Sequence, residues 1–182
     1  MFATEKEASG FLKTIFDSLG WEYREQYLTK SGMAIDFYVK APHEGGFIFF
    51  GVECKKDIDT NTKATTLADY MEQAMAYSVD LDAPVFLGPA TGELSPSTLY
   101  QGGSNIKALS GLAIYGGRVN IGIFAVQQGS YHGKEYIRPF IILRGAIFWD
   151  EKGFNPARLN MISSVGSKKQ RTDIKIWRPK HG

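Results

Sequence analysis

Apolar residues recur at three- and four-residue steps near the start of the chain, at Ala8, Phe11, Leu12, Ile15, Phe16 and Leu19. That spacing predicts an amphipathic helix over Thr4–Leu19, capped by Thr4 and stopped by Gly20. The period then changes to two. "WEYREQYL" (21–28) and "MAIDFYVK" (33–40) set apolar against polar positions in alternation, which predicts two strands. Pro42 and Gly45-Gly46 mark a turn, and "FIFFGVECKK" (47–56) has the near-continuous apolar character of a strand buried on both faces at a sheet centre. Leu67, Tyr70, Met71, Ala74 and Tyr77 predict a second helix over 66–79, and "VFLG" (85–88) a short strand after Pro84. Helical pattern is sparse in the second half, where strands are predicted at 112–115, 119–126, 136–143, 146–149 and 174–177. No repeat at a 20–50 residue period and no internal boundary interrupts the pattern, so one α/β domain is expected over 1–182.

A chain of 182 residues with 43% hydrophobic and 22% charged residues has the composition of a folded globular domain. No apolar run approaches the ~18 residues of a membrane-spanning helix, so no membrane association is expected. A single cysteine and the lack of a secretory pattern predict an intracellular, cytoplasmic protein. The net charge of +2 is mild, but its distribution is uneven. Residues 168–182 carry six Lys or Arg and one Asp, a sum of +5, so the remainder of the chain sums to 2 − 5 = −3.

Strand alternation assigns Asp36 to the face opposite Ile35, Phe37 and Val39, and sets Glu53 and Lys55 together opposite Ile48, Phe50, Val52 and Cys54. If the two strands pair as a hairpin, two carboxylates and an ammonium converge at one end of an otherwise apolar sheet. Neighbouring carboxylates repel unless a cation sits between them. A hard divalent ion such as Mg²⁺ suits them, because it takes one or two carboxylates and keeps waters that a phosphate can displace. Lys55 would then orient a water or stabilise charge developing on a phosphate. Together these are the parts of metal-assisted phosphodiester hydrolysis.

Asp36 followed seventeen residues later by Glu53-Cys54-Lys55 resembles the signature of the PD-(D/E)XK nuclease superfamily, with Ile35 where the name has proline. Gln73 and Tyr77 in the next helix, one turn apart, are similar to the Q-x-x-x-Y element of its RecB-like and lambda-exonuclease-like branches. The resemblance implies a restriction-endonuclease-like core, a mixed central sheet flanked by helices, over 1–90, with a variable β-rich extension over 91–182. It implies a nuclease acting on DNA with Mg²⁺ or Mn²⁺. Asp36, Glu53 and the Cys54 carbonyl would hold metal, Lys55 would be the catalytic lysine, and Gln73 and Tyr77 would position the strand. An acid on the first helix often joins such sites. Glu5 lies nearer the apolar stripe than Glu7 and is favoured. Many relatives act as homodimers, and the chain's small size suits an endonuclease of phage, mobile-element, repair or recombination type.

A lone acid-x-Lys triplet arises by chance about once in a chain this long, and Asp150 with Asp173-Ile174-Lys175 is a second formal match. Only seven residues follow that second triplet, leaving no room for the helix and strand that follow the first. Ile174, Ile176 and Trp177 predict a docked strand in the basic segment. Such a strand makes Lys168, Lys169, Arg171, Lys175, Arg178 and Lys180 candidates for phosphate contacts. Cys54 reads as a small core residue, and His43, His132 and His181 are too scattered for a zinc centre. No phosphate-binding glycine loop is present. Two rivals to the nuclease are a nuclease-like module that binds nucleic acid or protein without cutting, and a structural protein whose triplet is accidental.

Overall fold

The computed structural model describes residues 2–92, 94–101, 111–112, 116–159, 162–165, 168–171, 174 and 176–179. Thr4 caps helix α1 (Glu5–Ser18), its hydroxyl accepting the Glu7 amide at 3.1 Å while the Glu7 carboxylate accepts the Ala3 amide at 2.9 Å. Gly20, at φ +66°, ends the helix, with the Trp21 amide closing back on the Phe16 carbonyl and the Gly20 amide on that of Asp17. Strands β1 (Glu22–Leu28), β2 (Ala34–His43) and β3 (Gly46–Cys54) then form an antiparallel meander. Helix α2 (Ala64–Leu81) carries the chain over the sheet to β4 (Val85–Ala90), which pairs parallel to β3. Beyond it come α3 (Pro96–Gln101), a 3-10 turn at Gly116–Val119, and β5 (Ile121–Tyr131), parallel to β4. Strands β6 (Lys134–Leu143), β7 (Ala146–Asp150) and β8 (Gly153–Phe154) extend the sheet antiparallel.

The molecule is therefore mixed α/β, and among the described residues its central sheet has nine strands in the order β1-β2-β3-β4-β5-β6-β7-β8, with β11 (Ile176–Trp177) added beside β3. A short helix α4 (Pro156–Leu159) and a separate hairpin of β9 (Ile162–Val165) and β10 (Lys168–Arg171) precede β11. Each sheet face buries its own core. On one, Leu12, Ile15 and Phe16 of α1 pack on Phe37, Phe50, Val52 and Phe124, with Phe16 edge-on to Phe37 and Phe124. On the other, Leu67, Ala74 and Tyr77 of α2 pack on Val85, Leu87, Ile121 and Ile123. Among the described residues no helix is long and apolar enough to cross a membrane.

The periodicities place the elements of the first half to within a few residues, and three expectations need correction. Pro42 lies inside β2 instead of the turn, which is made by Glu44 and Gly45 at φ +42° and +74°. The strand expected over 112–115 is not found at its start: Gly111 and Leu112 are helical, and 113–115 lie outside the described residues. Ile35 also leaves the alternation of β2. Its Cδ1 lies on the α2 face beside Gly51, and it belongs to the core of Tyr77 and Val85 instead of that of Phe37 and Val39. The cause is that β2 and β3 pair only as far as Phe37 and Val52, and past that point the strands separate.

Candidate active site

The separation of β2 from β3 makes the site. Had the ladder continued, the Cys54 amide would bond a backbone group of β2; instead it donates to Asp36 Oδ2 at 2.8 Å. Asp36 thus fills the fork between the strands, a short polar side chain substituting for a ladder bond. Its other oxygen, Oδ1, accepts from Gln26 Nε2 of β1 at 2.8 Å. Gln26 stands opposite Asp36 at φ +46°, a left-handed conformation that a glutamine adopts only under constraint. The β1–β2 register pairs Glu25 with Phe37 and Tyr27 with Ile35 and passes over the Gln26–Asp36 step.

Glu53 and Lys55 share the face that α2 covers, as alternation predicts, and Cys54 turns its thiol the other way into the core. Lys55 Nζ donates to Glu53 Oε1 at 3.0 Å and to Gln73 Oε1 at 3.1 Å, and stands 5.0 Å from the Tyr70 ring centre. Gln73 Nε2 donates to Tyr77 Oη at 3.0 Å, and Tyr77 Oη donates to the Ala34 carbonyl at 2.8 Å. A hydrogen-bonded line runs from Glu53 through Lys55, Gln73 and Tyr77 back to the start of β2. Gln73 is exposed and meets the lysine, whereas Tyr77 is buried and serves by holding Gln73 and the fork. Strand-positioning was expected of both; only Gln73 faces outward.

Glu53 is 4% exposed, and its Oε2 has no hydrogen-bond partner among the described residues. Burial, then the Asp36 charge, push its pKa up to about 7 against the pull of Lys55 and the Asp36 amide. Burial alone would lower the Lys55 pKa, but the Glu53 carboxylate and its hydrogen bond, followed by Glu5 and Asp36, carry it above its ordinary value. The ammonium therefore stays charged. Burial, then Asp36, push the Cys54 thiol up to about 12, which keeps it protonated and inert as a nucleophile. Tyr77 is raised by burial and then by Glu53.

Glu5 is exposed in the first turn of α1, its carbonyl accepting from Cys54 Sγ at 3.7 Å and its charge acting on Lys55 and Cys54. Glu7 is occupied by the Ala3 amide, so of the two acids Glu5 is the one whose charge reaches the site. Among the described residues, however, no group of three or more His, Cys, Asp or Glu side chains converges to hold a metal ion. Two carboxylates form the site, and Glu5 does not complete a third ligand. Those two fit a divalent cation. A buried carboxylate oxygen without a donor is costly to desolvate, and a neighbouring carboxylate adds repulsion that a cation would remove. Asp36, although bonded through both oxygens, keeps a second lone pair on each.

Of the basic candidates, Lys168, Lys169 and Arg171 lie in β10, paired with Val165, Ser164 and Ile162 of β9. Arg178 is exposed just past β11, and Lys175 and Lys180 lie outside the described residues. The docked strand is present: Ile176 pairs with Ile48, Trp177 with Phe47, and the Ile174 amide donates to the Leu159 carbonyl at 2.9 Å. Sequence pattern missed Gln26 and Tyr70. Tyr70 reads as part of the apolar stripe of α2, and a single positive φ leaves no periodic mark by which Gln26 could be found. No protein-family model, no curated protein and no solved structure matches the chain.

Proposed function

We propose that the chain is a metal-dependent nuclease of PD-(D/E)XK type, with a restriction-endonuclease-like core, that hydrolyses phosphodiester bonds in DNA as an endonuclease. The observation that carries the reading is the buried, partnerless Glu53 Oε2 beside Asp36, with the Lys55 ammonium fixed at 3.0 Å from the same carboxylate. Asp36, Glu53 and the Cys54 carbonyl are the groups that would hold Mg²⁺ or Mn²⁺. The ion would supply Lewis acidity and a lowered pKa for water.

The chain's own residues do the rest. Lys55 has three N–H donors, of which Glu53 and Gln73 engage two among the described residues. The third is available to the attacking water or to a phosphate oxygen as negative charge grows on it. Gln73 fixes the ammonium from α2, so a substrate strand lying across the helix meets a lysine that does not need to reorganise. Water oxygen bonds to phosphorus, the bond from phosphorus to the leaving sugar oxygen breaks, and the water's proton ends on the departing side.

The test is cleavage of supercoiled plasmid, linear duplex and single-stranded DNA with Mg²⁺, Mn²⁺ or EDTA, alongside Lys55→Ala. Metal-dependent cutting that falls at least a hundredfold in the variant is the expected result, the usual scale for loss of a charge-stabilising donor being about 10²–10³. A second reading draws on the two-carboxylate site that lacks a third ligand among the described residues: a module that keeps this fold and holds nucleic acid uncut. It predicts DNA retention with no cutting in any lane.

A further inference from the structure

Glu53 and Gln73 take two of the Lys55 N–H donors, and the ammonium has a third neighbour in the ring of Tyr70, whose centre lies 5.0 Å from Nζ. A ring face attracts a cation through its quadrupole and takes up no particular N–H, so this contact restrains the ammonium and leaves a donor for substrate. The Lys55 side chain is 12% exposed, so little water competes for it.

Tyr70 is itself anchored. Its Oη donates to both oxygens of Asp57, at 2.9 and 3.2 Å. Burial, then the bond to Asp57 and its charge, push the phenol up to about 12, which keeps it a donor. Asp57 stands in a segment with little freedom. Before it, the Lys55 amide donates to the Gly88 carbonyl at 2.8 Å; after it, the buried Ile58 accepts the Thr91 amide through its carbonyl at 3.0 Å. The Asp57 carbonyl itself accepts the Thr62 hydroxyl at 2.9 Å. On α2, Tyr70, Gln73 and Tyr77 follow one another at steps of three and four along one stripe. Tyr77 bonds the Ala34 carbonyl at the start of β2 and Tyr70 bonds Asp57 beyond the end of β3, so the helix is tied to both branches of the fork on either side of Gln73. An apolar side chain at position 70 would serve packing as well. Packing does not account for a phenol shared between both oxygens of one exposed carboxylate.

Asp57 follows Lys55 by only two residues, and a carboxylate that close in the chain is a rival partner for the ammonium. We propose that Tyr70 is the positioning residue of Lys55: its ring restrains the ammonium and its phenol occupies the Asp57 carboxylate, so that the lysine stays with Glu53 and Gln73. The proposal rests on the nuclease reading for the lysine's part in the reaction, and on the geometry of Tyr70 for the lysine's placement.

The experiment reads placement and reaction separately. In the metal-free full chain carrying ¹³C-lysine, the ε-methylene protons of Lys55, assigned by their loss in Lys55→Arg, should resonate upfield of those of the other lysines because they lie by an aromatic face. Tyr70→Leu should return them to the common range. Tyr70→Phe keeps the ring but frees Asp57, and should move them part of the way back; adding Asp57→Asn to Tyr70→Phe removes the rival and should restore the parent position. Cleavage should follow the same order. Tyr70→Leu and Tyr70→Phe lower kcat about 2- to 30-fold with KM little changed, and Asp57→Asn rescues Tyr70→Phe, which a residue that served packing alone would not allow. Lys55 protons that Tyr70→Leu leaves in place overturn the proposal, and so does a Tyr70→Phe defect that Asp57→Asn fails to relieve. Should Tyr70→Leu not fold, the Tyr70→Phe pair decides alone. The expected shifts in a parent that never cuts keep Tyr70 as the holder of the lysine and remove the nuclease; cutting that every Tyr70 variant retains in full keeps the nuclease and overturns the proposal.

Discussion

Glu53 sets how the site responds to pH. Its carboxyl has an ordinary pKa of 4.5 and one of about 7 in the fold, so the folded chain holds the proton more tightly than the unfolded one. Its contribution to stability is complete below about pH 4.5 and is lost as pH rises through about 7, a span worth about 3 kcal/mol. The metal-free protein should melt at progressively lower temperature from pH 5 to pH 8, and Glu53→Gln should flatten that slope; a parallel slope in the variant would assign it to other groups. Mn²⁺ should restore the lost stability, and more at pH 8 than at pH 5, because it competes with the proton for the same carboxylate. Gln26 gives a second prediction. Gln26→Gly removes both an unfavourable φ of +46° and the donor to Asp36, effects of opposite sign that leave stability within about 1 kcal/mol. Mn²⁺ affinity by calorimetry should nevertheless fall about 10- to 100-fold, the usual cost of losing a group that orients a ligand. An unchanged affinity would show Gln26 to be merely structural.

At the scale of elements, the site depends on how closely β3, β4 and β5 approach. Gly88 accepts the Lys55 amide at 2.8 Å, and a Cβ there would stand 2.5 Å from the Phe124 carbonyl oxygen. That oxygen belongs to a central strand and cannot move aside. Gly88→Ala should therefore cost about 1–3 kcal/mol by urea denaturation and lower the cleavage rate with it, since β4 carries the register of Lys55. Helix α2 acts on the same lysine from above. Tyr77→Phe loses the bond to the Ala34 carbonyl and should cost about 1 kcal/mol, with its effect on cleavage confined to the hold on Gln73. The helix pattern made Gln73 and Tyr77 legible as neighbours on one face. It did not divide their roles, because burial depends on where α2 lies across the sheet, and Tyr77 falls over the fork while Gln73 falls at its mouth.

For the whole molecule, the C-terminal segment is the element whose meaning the fold changes most. In sequence it is a basic run; in the structure β11 covers the Gly46–Ile48 end of β3, on the edge that β4 leaves open, and delivers Trp177 to the sheet face. Ending the chain at residue 173 should expose that edge and lower the melting temperature by several degrees, on the scale of about 2–4 °C per kcal/mol for a chain of this size. A truncated chain as stable as the full one would mean that β11 adds no measurable packing.

By itself the sequence determined the helices and strands of the first half and the common face of Glu53 and Lys55. Period 3.6 and period 2 are local properties, and burial on one side selects them residue by residue. Tertiary structure alone decided that β2 parts from β3 at Asp36, that Ile35 crosses to the other core, and that Gln26 reaches across from β1. It alone left Glu53 Oε2 without a donor, and it alone drew Tyr27, Tyr38, Phe49 and Trp177 into one groove. These outcomes follow from contacts between residues far apart in the chain and from one backbone angle, and neither is written in the alternation of apolar and polar positions.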